Sequence, residues 1–253
     1  MISCSRGKKQ DLKVRLDQIL VNRQLAENIS AARAMIGAGE IYVDDQIADK
    51  PGSVFSSDRT IRVKEKCPYV SRGGLKLEKG LSHFQLSVKD YVCVDIGASS
   101  GGFTDCLLQH QAARVYAVDV AYGQLAWKIR QDPRVVVLER FNARNIVAKD
   151  IDFAPVDFVV LDVSFISLTT LLSPVFKLFE KEVAILALIK PQFELPRSEI
   201  GPGGVVLEPA LHDKAINKIE NFVQKVGLIS RGTVASPILG PKGNREFLIY
   251  ISS

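Results

Sequence analysis

The stretch Tyr91-Val-Cys-Val-Asp-Ile-Gly-Ala-Ser-Ser-Gly-Gly102 carries the strongest local signal in this sequence. A mostly apolar segment ends at Asp95, three glycines follow, and the pattern after them favours a helix over about 102–110. Glycines let a backbone approach a ligand closely, and the first turn of a helix carries partial positive charge. The stretch therefore predicts a strand, a ligand-binding turn and a helix.

The same alternation of strand and helix continues toward the C-terminus. Strands are predicted at 114–119, 135–138, 158–162 and 183–189, and helices near 124–131, 168–179 and 209–226. Two more strands, at 228–235 and 246–252, are expected to form a terminal hairpin. Because strands alternate with helices, we predict an α/β fold with a mostly parallel, seven-stranded, Rossmann-like sheet.

Composition bounds the class of protein. Of 253 residues, 47% are hydrophobic and 24% are charged, which is typical of a folded, water-soluble protein. No apolar run approaches the roughly 20 residues that cross a bilayer. Residues 1–9 are charged and lack the apolar core of a secretory signal. We expect a cytoplasmic protein without a membrane role.

The cysteines are widely spaced and form no Cys-x-x-Cys pair; they are Cys4, Cys67, Cys93 and Cys106. Zinc sites and redox-active dithiols are commonly built on such pairs. The sequence therefore predicts reduced, non-ligating cysteines, as in cytoplasmic proteins generally, and no metal site.

The excess positive charge lies in the N-terminal third. Residues 1–80 hold 15 Lys and Arg against 10 Asp and Glu, whereas residues 81–253 hold 18 of each kind. Contacts between cations and phosphates supply much of the affinity of proteins for RNA, so this excess favours an RNA-binding surface. A solvated basic face is the alternative interpretation.

Residues 13–65 predict short helices followed by a small β unit. Arg15-Leu-Asp17 begins the first helix, Ser30 is the expected N-cap of the next, and Gly37 stops it. Short strands are expected at 41–43, 46–47 and 60–63, and an Asp44-Asp45 turn is expected between the first two.

This arrangement resembles the ribosomal S-four type of RNA-binding domain, which opens its first helix with Arg-Leu-Asp. Three positions depart from the pattern of that domain. Ala31 stands where it has arginine, Glu40 where it often has a basic residue, and Asp45 where its hairpin has glycine. These departures affect the usual phosphate contacts and leave the fold prediction unchanged. The predicted organisation is an S-four-like domain over 1–65, with its core at about 13–65, a linker at 66–70 and a second domain over 71–253.

The turn Asp95-x-Gly97-x-x-x-Gly101-Gly102 differs from the Gly-x-Gly-x-x-Gly fingerprint of dinucleotide-binding domains. It resembles instead the turns that hold the methionine part of S-adenosylmethionine. Asp119 ends the next strand, where an acidic side chain can accept both ribose hydroxyls of a nucleoside. Asn142 follows the third strand, where it can face the adenine. The predicted cofactor contacts are Asp95, Gly97, Ala98, Ser99, Gly101, Gly102, Phe103, Asp119, Asn142 and Asp162.

Four charged residues lie in specific flanks: Ser71-Arg-Gly-Gly-Leu-Lys76, Leu161-Asp-Val-Ser-Phe-Ile-Ser-Leu168, Leu188-Ile-Lys-Pro-Gln-Phe-Glu194 and Gly243-Asn-Arg-Glu-Phe-Leu248. With these motifs, nearly the whole chain resembles the TlyA, or hemolysin A, family. That family joins an S-four domain to a class I methyltransferase domain of the FtsJ type, which carries a Lys-Asp-Lys-Glu tetrad. The resemblance implies that the catalytic residues are Lys76, Asp162, Lys190 and Glu246.

The resemblance further implies S-adenosylmethionine-dependent methylation of the ribose 2′-hydroxyl of a cytidine in ribosomal RNA, within ribosomal subunits. Such a hydroxyl must lose its proton as it attacks the methyl group. Lys190 is the expected base, with Lys76 and Asp162 positioning it and the hydroxyl. Glu246 would orient Lys76 or the ribose. The predicted RNA contacts are Arg15, Arg33 and Arg72, and the sequence leaves monomer and homodimer open.

Three alternative functions fit parts of the sequence. A catalytically inactive RNA-binding protein would not need the intact tetrad and cofactor turn. A pore-forming hemolysin, which the family label suggests, would need a signal, a spanning helix or a long amphipathic β repeat, and the sequence displays none of these. A pseudouridine synthase often carries an S-four domain, but its chemistry uses a catalytic aspartate and no glycine-turn cofactor site. The methyltransferase hypothesis explains both domains.

Overall fold

A computed structural model describes residues 13–64 and 67–253 of the chain. The chain divides into two compact units, residues 1–66 and 67–253. The sequence predicts a linker at 66–70. Residues 67–70, the part of this linker that the structure describes, belong to the second unit. There the Tyr69 hydroxyl donates a hydrogen bond to Glu78, and the Val70 amide donates one to Asp105. These bonds fix the segment to the body of the second unit.

The N-terminal unit combines two helices with two small antiparallel sheets. Its elements are β1 (Lys13–Arg15), α1 (Leu16–Asn22), α2 (Ile29–Gly37), β2 (Ile41–Val43), β3 (Gln46–Ile47), β4 (Val54–Ser56) and β5 (Ile61–Val63). β1 pairs with β4, and β2 lies between β3 and β5. Leu16 and Leu20 of α1 pack with Ala32 and Ile36 of α2 in a buried core. Each pair is spaced by four residues, which places both members on the same face of a helix.

One local prediction in this unit is wrong, and another agrees with the structure. The N-cap of α2 is Asn28 rather than Ser30, and the Asn28 side chain accepts a hydrogen bond from the Ala31 amide at 2.9 Å. Asparagine and serine are equally good N-caps, so the sequence pattern did not distinguish them. Asp44 and Asp45 join β2 to β3 with φ of 47° and 62°, as a two-residue hairpin turn requires.

The second unit is a seven-stranded sheet with helices on both faces, which confirms the predicted fold class. The strands are β6 (Val92–Ile96), β7 (Arg114–Val118), β8 (Val135–Leu138), β9 (Phe158–Leu161), β10 (Ala184–Ile189), β11 (Ile229–Ala235) and β12 (Phe247–Ser252). The helices are α3 (Gly73–His83), α4 (Gly102–Gln109), α5 (Trp127–Arg130), α6 (Leu168–Val175), α7 (Pro191–Glu194) and α8 (Pro209–Lys225).

The order of the strands puts a crevice at the middle of the sheet. They run β11-β12-β10-β9-β6-β7-β8, and within this sheet β12 alone runs opposite to the other six strands. From β6 the chain adds β7 and β8 on one side of that strand, and it then crosses back to place β9 on the other side of β6. Ligands of open α/β sheets bind at such a reversal, outside the carboxyl ends of the strands.

Two apolar cores hold the helices against the sheet. On one face, Val94 and Ile96 of β6 pack with Leu172 of α6 and Ile219 of α8. On the other face, Cys93 lies in a core that includes residues of α3, α4 and α5. Because both faces are covered, the central strands are almost entirely apolar.

Two segments of this unit differ from the predicted pattern. The helix predicted near 124–131 is reduced to the four residues of α5, because the Ala126 amide donates to the Ser100 carbonyl in the glycine turn. The segment after Lys190, for which no helix or strand is predicted, begins with the short helix α7, in which Pro191 occupies a favourable first position. None of the helices in the described part of the chain combines the length and apolar character needed to cross a bilayer.

Candidate active site

The glycine turn after β6 lies at the central crevice of the sheet. Gly97 has a φ of 87°, which residues with a side chain rarely adopt. A Cβ atom at this position would lie 2.4 Å from the backbone oxygen of Asp162, the residue that follows β9. Glycine therefore allows the ends of β6 and β9 to approach each other. Gly101, with a φ of 92°, then forms the N-cap of α4.

Asp95 lies under this turn and is completely buried. Its Oδ2 atom accepts a hydrogen bond from the Thr104 hydroxyl at 2.6 Å, whereas Oδ1 has no partner among the described residues. Burial raises the pKa of Asp95 to about 7. Buried polar atoms are usually hydrogen-bonded, so the free Oδ1 atom suits a ligand that brings a donor to this turn.

A cavity of about 500 Å³ opens between the turn and the ends of β7 and β9. The Asp119 carboxylate lines it and accepts hydrogen bonds from the Ser99 amide at 2.7 Å and the Ala121 amide at 2.8 Å. Each carboxylate oxygen can accept a second hydrogen bond, so Asp119 retains capacity for two hydroxyl groups. Asn142 also lines the cavity, where its Oδ1 atom accepts from the Arg144 amide.

A second cavity, of about 480 Å³, adjoins the first on the side of α3. The two cavities share Gly97, Ser99 and Asp162. Lys76 and the exposed Arg72 line the second cavity, so it is suited to a negatively charged ligand. A larger cavity, of about 910 Å³, lies at the opposite end of the strands and contains none of the predicted site residues.

Lys76 and Glu246 form a buried ion pair beside the second cavity. The Nζ atom of Lys76 lies 2.6 Å from Oε2 of Glu246 and 3.9 Å from Oδ2 of Asp162. The other carboxylate oxygen of Glu246, Oε1, has no hydrogen-bond partner among the described residues. A Cβ atom on Gly240 would lie 2.1 Å from it, so glycine lets the loop before β12 close over this carboxylate.

Lys190 follows β10 and approaches the same aspartate from the other side. Its Nζ atom lies 2.6 Å from Oδ1 of Asp162 and donates to the Ser164 hydroxyl at 3.0 Å. Asp162 thus contacts two lysines, one through each carboxylate oxygen. The four predicted charged residues therefore meet in one cluster where the two cavities join.

This combination of a glycine turn, a seven-stranded sheet and a charged cluster is matched by a known family. Residues 69–253 match the model of a family described as FtsJ-like methyltransferase. The chain belongs to the FtsJ-like methyltransferase family. Residues 14–60 match the S4 domain, which confirms the predicted type of the N-terminal domain.

Relatives of this FtsJ-like methyltransferase match both units. The TlyA protein of Mycobacterium tuberculosis, named as a 16S/23S rRNA (cytidine-2′-O)-methyltransferase, is 43% identical over 94% of this chain and 90% of its own. YqxC of Bacillus subtilis, named as a candidate rRNA methyltransferase, is 46% identical over 94% of this chain and 85% of its own. The solved structure of a Streptococcus thermophilus protein, named as a candidate hemolysin, has 41% identity and a TM-score of 0.74, and covers 96% of this chain and 89% of its own.

A network centred on the buried carboxylate of Glu194, behind the cluster, holds the two loops of the methyltransferase unit that follow β9 and β10. Glu194, at the end of α7, accepts hydrogen bonds from the Leu168 amide at 2.8 Å and from the Ser167 hydroxyl. Lys218 of α8 completes the network at 2.9 Å from Glu194. No role for these residues is predicted from the sequence. Ser167 and Glu194 lie within the quoted motifs, but nothing in the sequence signalled that Lys218 pairs with them.

The three arginines predicted to contact RNA lie in two different settings. Arg15 and Arg33 both bind the buried carboxylate of Asp17 in the S4 unit, at 2.7 and 3.0 Å. Their side chains remain 45% and 56% exposed, so each can present part of its guanidinium to a ligand as well. Arg72 lies in the methyltransferase unit, at the rim of the second cavity.

Proposed function

We propose that this protein transfers a methyl group from S-adenosylmethionine to the ribose 2′-hydroxyl of a cytidine in ribosomal RNA. The observation that carries the proposal is the position of the Asp162 carboxylate, which binds Lys76 and Lys190 where two cavities join. A methyl donor in one cavity and a ribose in the other would meet at this cluster. The names of the relatives at 43–46% identity support the same substrate class.

The first cavity fits the adenosyl part of the cofactor. Asp119 would accept hydrogen bonds from the ribose hydroxyls, and Asn142 would face the adenine. The backbone at Gly97 and Gly101 and the free oxygen of Asp95 would contact the amino-acid part. The bound cofactor supplies a methyl group on a positively charged sulfur, which a neutral or anionic oxygen can attack. The remaining contacts would come from the turn and the start of α4: Ala98, Ser99, Gly102, Phe103 and Asp162.

The charged cluster provides a base and holds the acceptor hydroxyl. Lys76 contacts two carboxylates, those of Glu246 and Asp162, whereas Lys190 contacts one carboxylate and the neutral hydroxyl of Ser164. Lys190 therefore has fewer carboxylate partners than Lys76, which favours Lys190 as the group that takes the hydroxyl proton. Lys76, held in place by Glu246, would orient the ribose. Much of the rate would come from this positioning.

The S4 unit and the rim of the second cavity would bind the RNA. Arg15 and Arg33 keep exposed guanidinium surface, and Arg72 lines the cavity proposed for the acceptor. Contacts of these cations with phosphates are independent of base sequence. We therefore assign to them affinity for ribosomal subunits rather than the choice of cytidine.

The test is methyl transfer from labelled S-adenosylmethionine to purified ribosomal subunits, followed by digestion of the RNA to nucleosides. We expect label in 2′-O-methylcytidine with the wild type and a loss of about 100-fold or more with Lys190→Ala. Lys177→Ala, at an exposed lysine outside both cavities, is the matched control and should retain activity.

Calorimetric titration with the cofactor distinguishes the parts of the proposal. Cofactor binding without any transfer to RNA would favour an RNA-binding protein that has lost catalysis. Absence of cofactor binding would contradict the assignment of the first cavity. Full activity of Lys190→Ala would contradict its role as base while leaving the reaction itself intact.

A further inference from the structure

Three side chains of types that can bind metal ions meet on the α3–α4 face of the methyltransferase unit, outside both cavities of the candidate active site. Cys106 of α4 and His110, which caps the same helix, are four residues apart and therefore project from one side of it. Glu78 approaches from α3, which packs against α4. Two helices thus bring a thiol, an imidazole and a carboxylate together.

The ligand atoms of these side chains converge on a small volume. Oε2 of Glu78 lies 2.7 Å from Nε2 of His110 and 3.9 Å from Sγ of Cys106. All three atoms lie within 4.8 Å of one another. A tetrahedral zinc ion with bonds of about 2.0–2.3 Å needs ligand atoms roughly 3.3–3.6 Å apart. Small rotations of these side chains would therefore create the coordination geometry.

We propose that Glu78, Cys106 and His110 bind one Zn²⁺ ion, with water as the fourth ligand. Thiolate, imidazole and carboxylate are the three ligand types that zinc takes in proteins. The thiolate disfavours Mg²⁺ and Ca²⁺, which select oxygen ligands. The thiolate and the carboxylate together carry two negative charges, so they neutralise the ion in this half-buried position.

The surroundings of the cluster also suit a metal ion. The Tyr69 hydroxyl donates to Glu78 at 2.6 Å, and an outer hydrogen bond of this kind orients a metal-binding carboxylate. Glu78 and His110 are half-exposed, so an ion can reach the cluster from solvent. Cys106 is buried and would bind the ion from the side of the protein core.

The ion would connect the two helices that deliver parts of the candidate active site. Lys76 lies on α3 two residues before Glu78, and α4 begins at Gly102 in the glycine turn. Zinc bound here would stabilise the packing of α3 on α4. This site does not depend on the proposed methyl transfer, so it can be tested whatever the reaction proves to be.

The test is a titration of the full, tag-free chain with Co²⁺, followed by displacement with Zn²⁺. Co²⁺ bound tetrahedrally through a thiolate gives intense visible bands and a near-ultraviolet charge-transfer band. We expect these bands to saturate at one ion per chain. Saturating Zn²⁺ should abolish the bands and raise the melting temperature of the methyltransferase unit by about 5 °C.

Three variants and two controls assign the ligands. Cys106→Ser should abolish the charge-transfer band, and Glu78→Gln and His110→Gln should each weaken Zn²⁺ affinity more than about 10-fold. Cys67→Ser removes an exposed thiol and His83→Gln an exposed imidazole, and both controls should bind as the wild type does. Circular dichroism of each metal-free variant verifies that it is folded.

Two results would overturn the proposal. One is the lack of a thiolate band in the wild type, in which case Tyr69, Glu78 and His110 form only a hydrogen-bonded network between the helices. The other is unchanged Zn²⁺ affinity in folded Cys106→Ser and His110→Gln, which would assign the metal to adventitious surface groups.

Discussion

The side-chain amine of Lys76 lies 2.6 Å from the carboxylate of Glu246, although the two residues are 170 positions apart in the sequence. Both are nearly buried, with 8% and 1% of their surface exposed. Removing two charges from water is costly, and their attraction offsets that cost only while both partners are present. The pair therefore makes the candidate site and the stability of the surrounding fold interdependent.

Removing the carboxylate of this pair should destabilise the methyltransferase unit. In Glu246→Ala, Lys76 would stay buried, and among the described residues only Asp162, at 3.9 Å, would still form an ion pair with it. We expect the free energy of unfolding to fall by about 3 kcal/mol. Native-state hydrogen exchange of the amides in β10 and β12 measures this loss within the unit itself.

A double variant distinguishes the cost of burying the unpaired charge of Lys76 from the loss of its contact with Glu246. Lys76→Met combined with Glu246→Ala should recover more than half of the lost stability without restoring methyl transfer, because neither charge is then buried alone. Glu182→Ala, at an exposed glutamate, is the control and should change stability by less than about 0.5 kcal/mol. Equal losses in the single and double variants would show that the unpaired charge is not the cause.

The ion pair between the buried Glu194 and Lys218, whose side chain is 41% exposed, should influence turnover more than cofactor binding. Glu194 holds the N-terminus of α6 at the Leu168 amide, and it lines neither cavity of the candidate site. In Glu194→Gln, we expect kcat to fall about 10-fold because Asp162 and Lys190 are less well oriented. Cofactor affinity should change less than about twofold. Single-turnover methyl transfer and calorimetric titration with the cofactor measure the two quantities.

The matched control for this prediction is another pairing of a glutamate with a lysine of α8. Glu199 lies 2.6 Å from Lys214, but both side chains are more exposed than that of Glu194. Glu199→Gln should leave kcat unchanged. An equal fall in both variants would point to a general effect of weakening α8, and an unchanged kcat in Glu194→Gln would remove its positioning role.

The sequence predicted the methyltransferase unit more completely than the S4 unit, for a physical reason. Parallel strands such as β9 and β10 are buried on both faces, so they appear in the sequence as continuous apolar runs. β1 and β4 have only three residues each and little burial, so no periodicity marks them. The helix α5 is shorter than predicted for another reason. The Ala126 amide, in the expected first turn of this helix, donates its hydrogen bond to the glycine turn instead.

For the site, the motifs indicated four residues that the structure brings together, but not all of their contacts. The four charged residues were expected together because the family resemblance implies a Lys-Asp-Lys-Glu tetrad. The contact of Ser164 with Lys190 and the pairing of Glu194 with Lys218 were missed. Such contacts depend on the packing of α7 and α8, which the local sequence does not encode.

The buried Asp95 should make stability depend on pH. Its pKa of about 7 lies above the value of 3.8 expected in the unfolded chain, because burial disfavours the charged form. Between these values the folded state binds more protons, so stability falls as pH rises from 4 to 7. We expect the wild type to lose up to about 4 kcal/mol relative to Asp95→Asn over that range.

The measurement is urea denaturation of both proteins at several pH values between 4 and 8. Subtracting the unfolding free energy of Asp95→Asn from that of the wild type isolates the contribution of Asp95 from those of the other titrating groups. This difference should level off above pH 7. Asp152→Asn is the control, because Asp152 is exposed and its positive φ is one that asparagine tolerates. A difference that is constant across this range would mean that Asp95 does not titrate there.

The S4 unit should show the opposite dependence on pH. Hydrogen bonds from Arg15, together with those from Arg33, hold the pKa of the buried Asp17 well below its usual range. The charged form is favoured in the folded state, so its contribution is complete above about pH 4 and is lost as pH falls. Asp17→Asn should lower the unfolding free energy by about 3 kcal/mol at pH 7, and the gap to wild type should narrow below pH 4. Hydrogen exchange in α1 and α2 measures the loss at pH 7 and its dependence on pH.

The control is Asp45→Asn, at a carboxylate that is 91% exposed, and it should change neither the unfolding free energy nor its dependence on pH. An equal loss of stability in Asp17→Asn and Asp45→Asn would show that burial of Asp17 is not the cause.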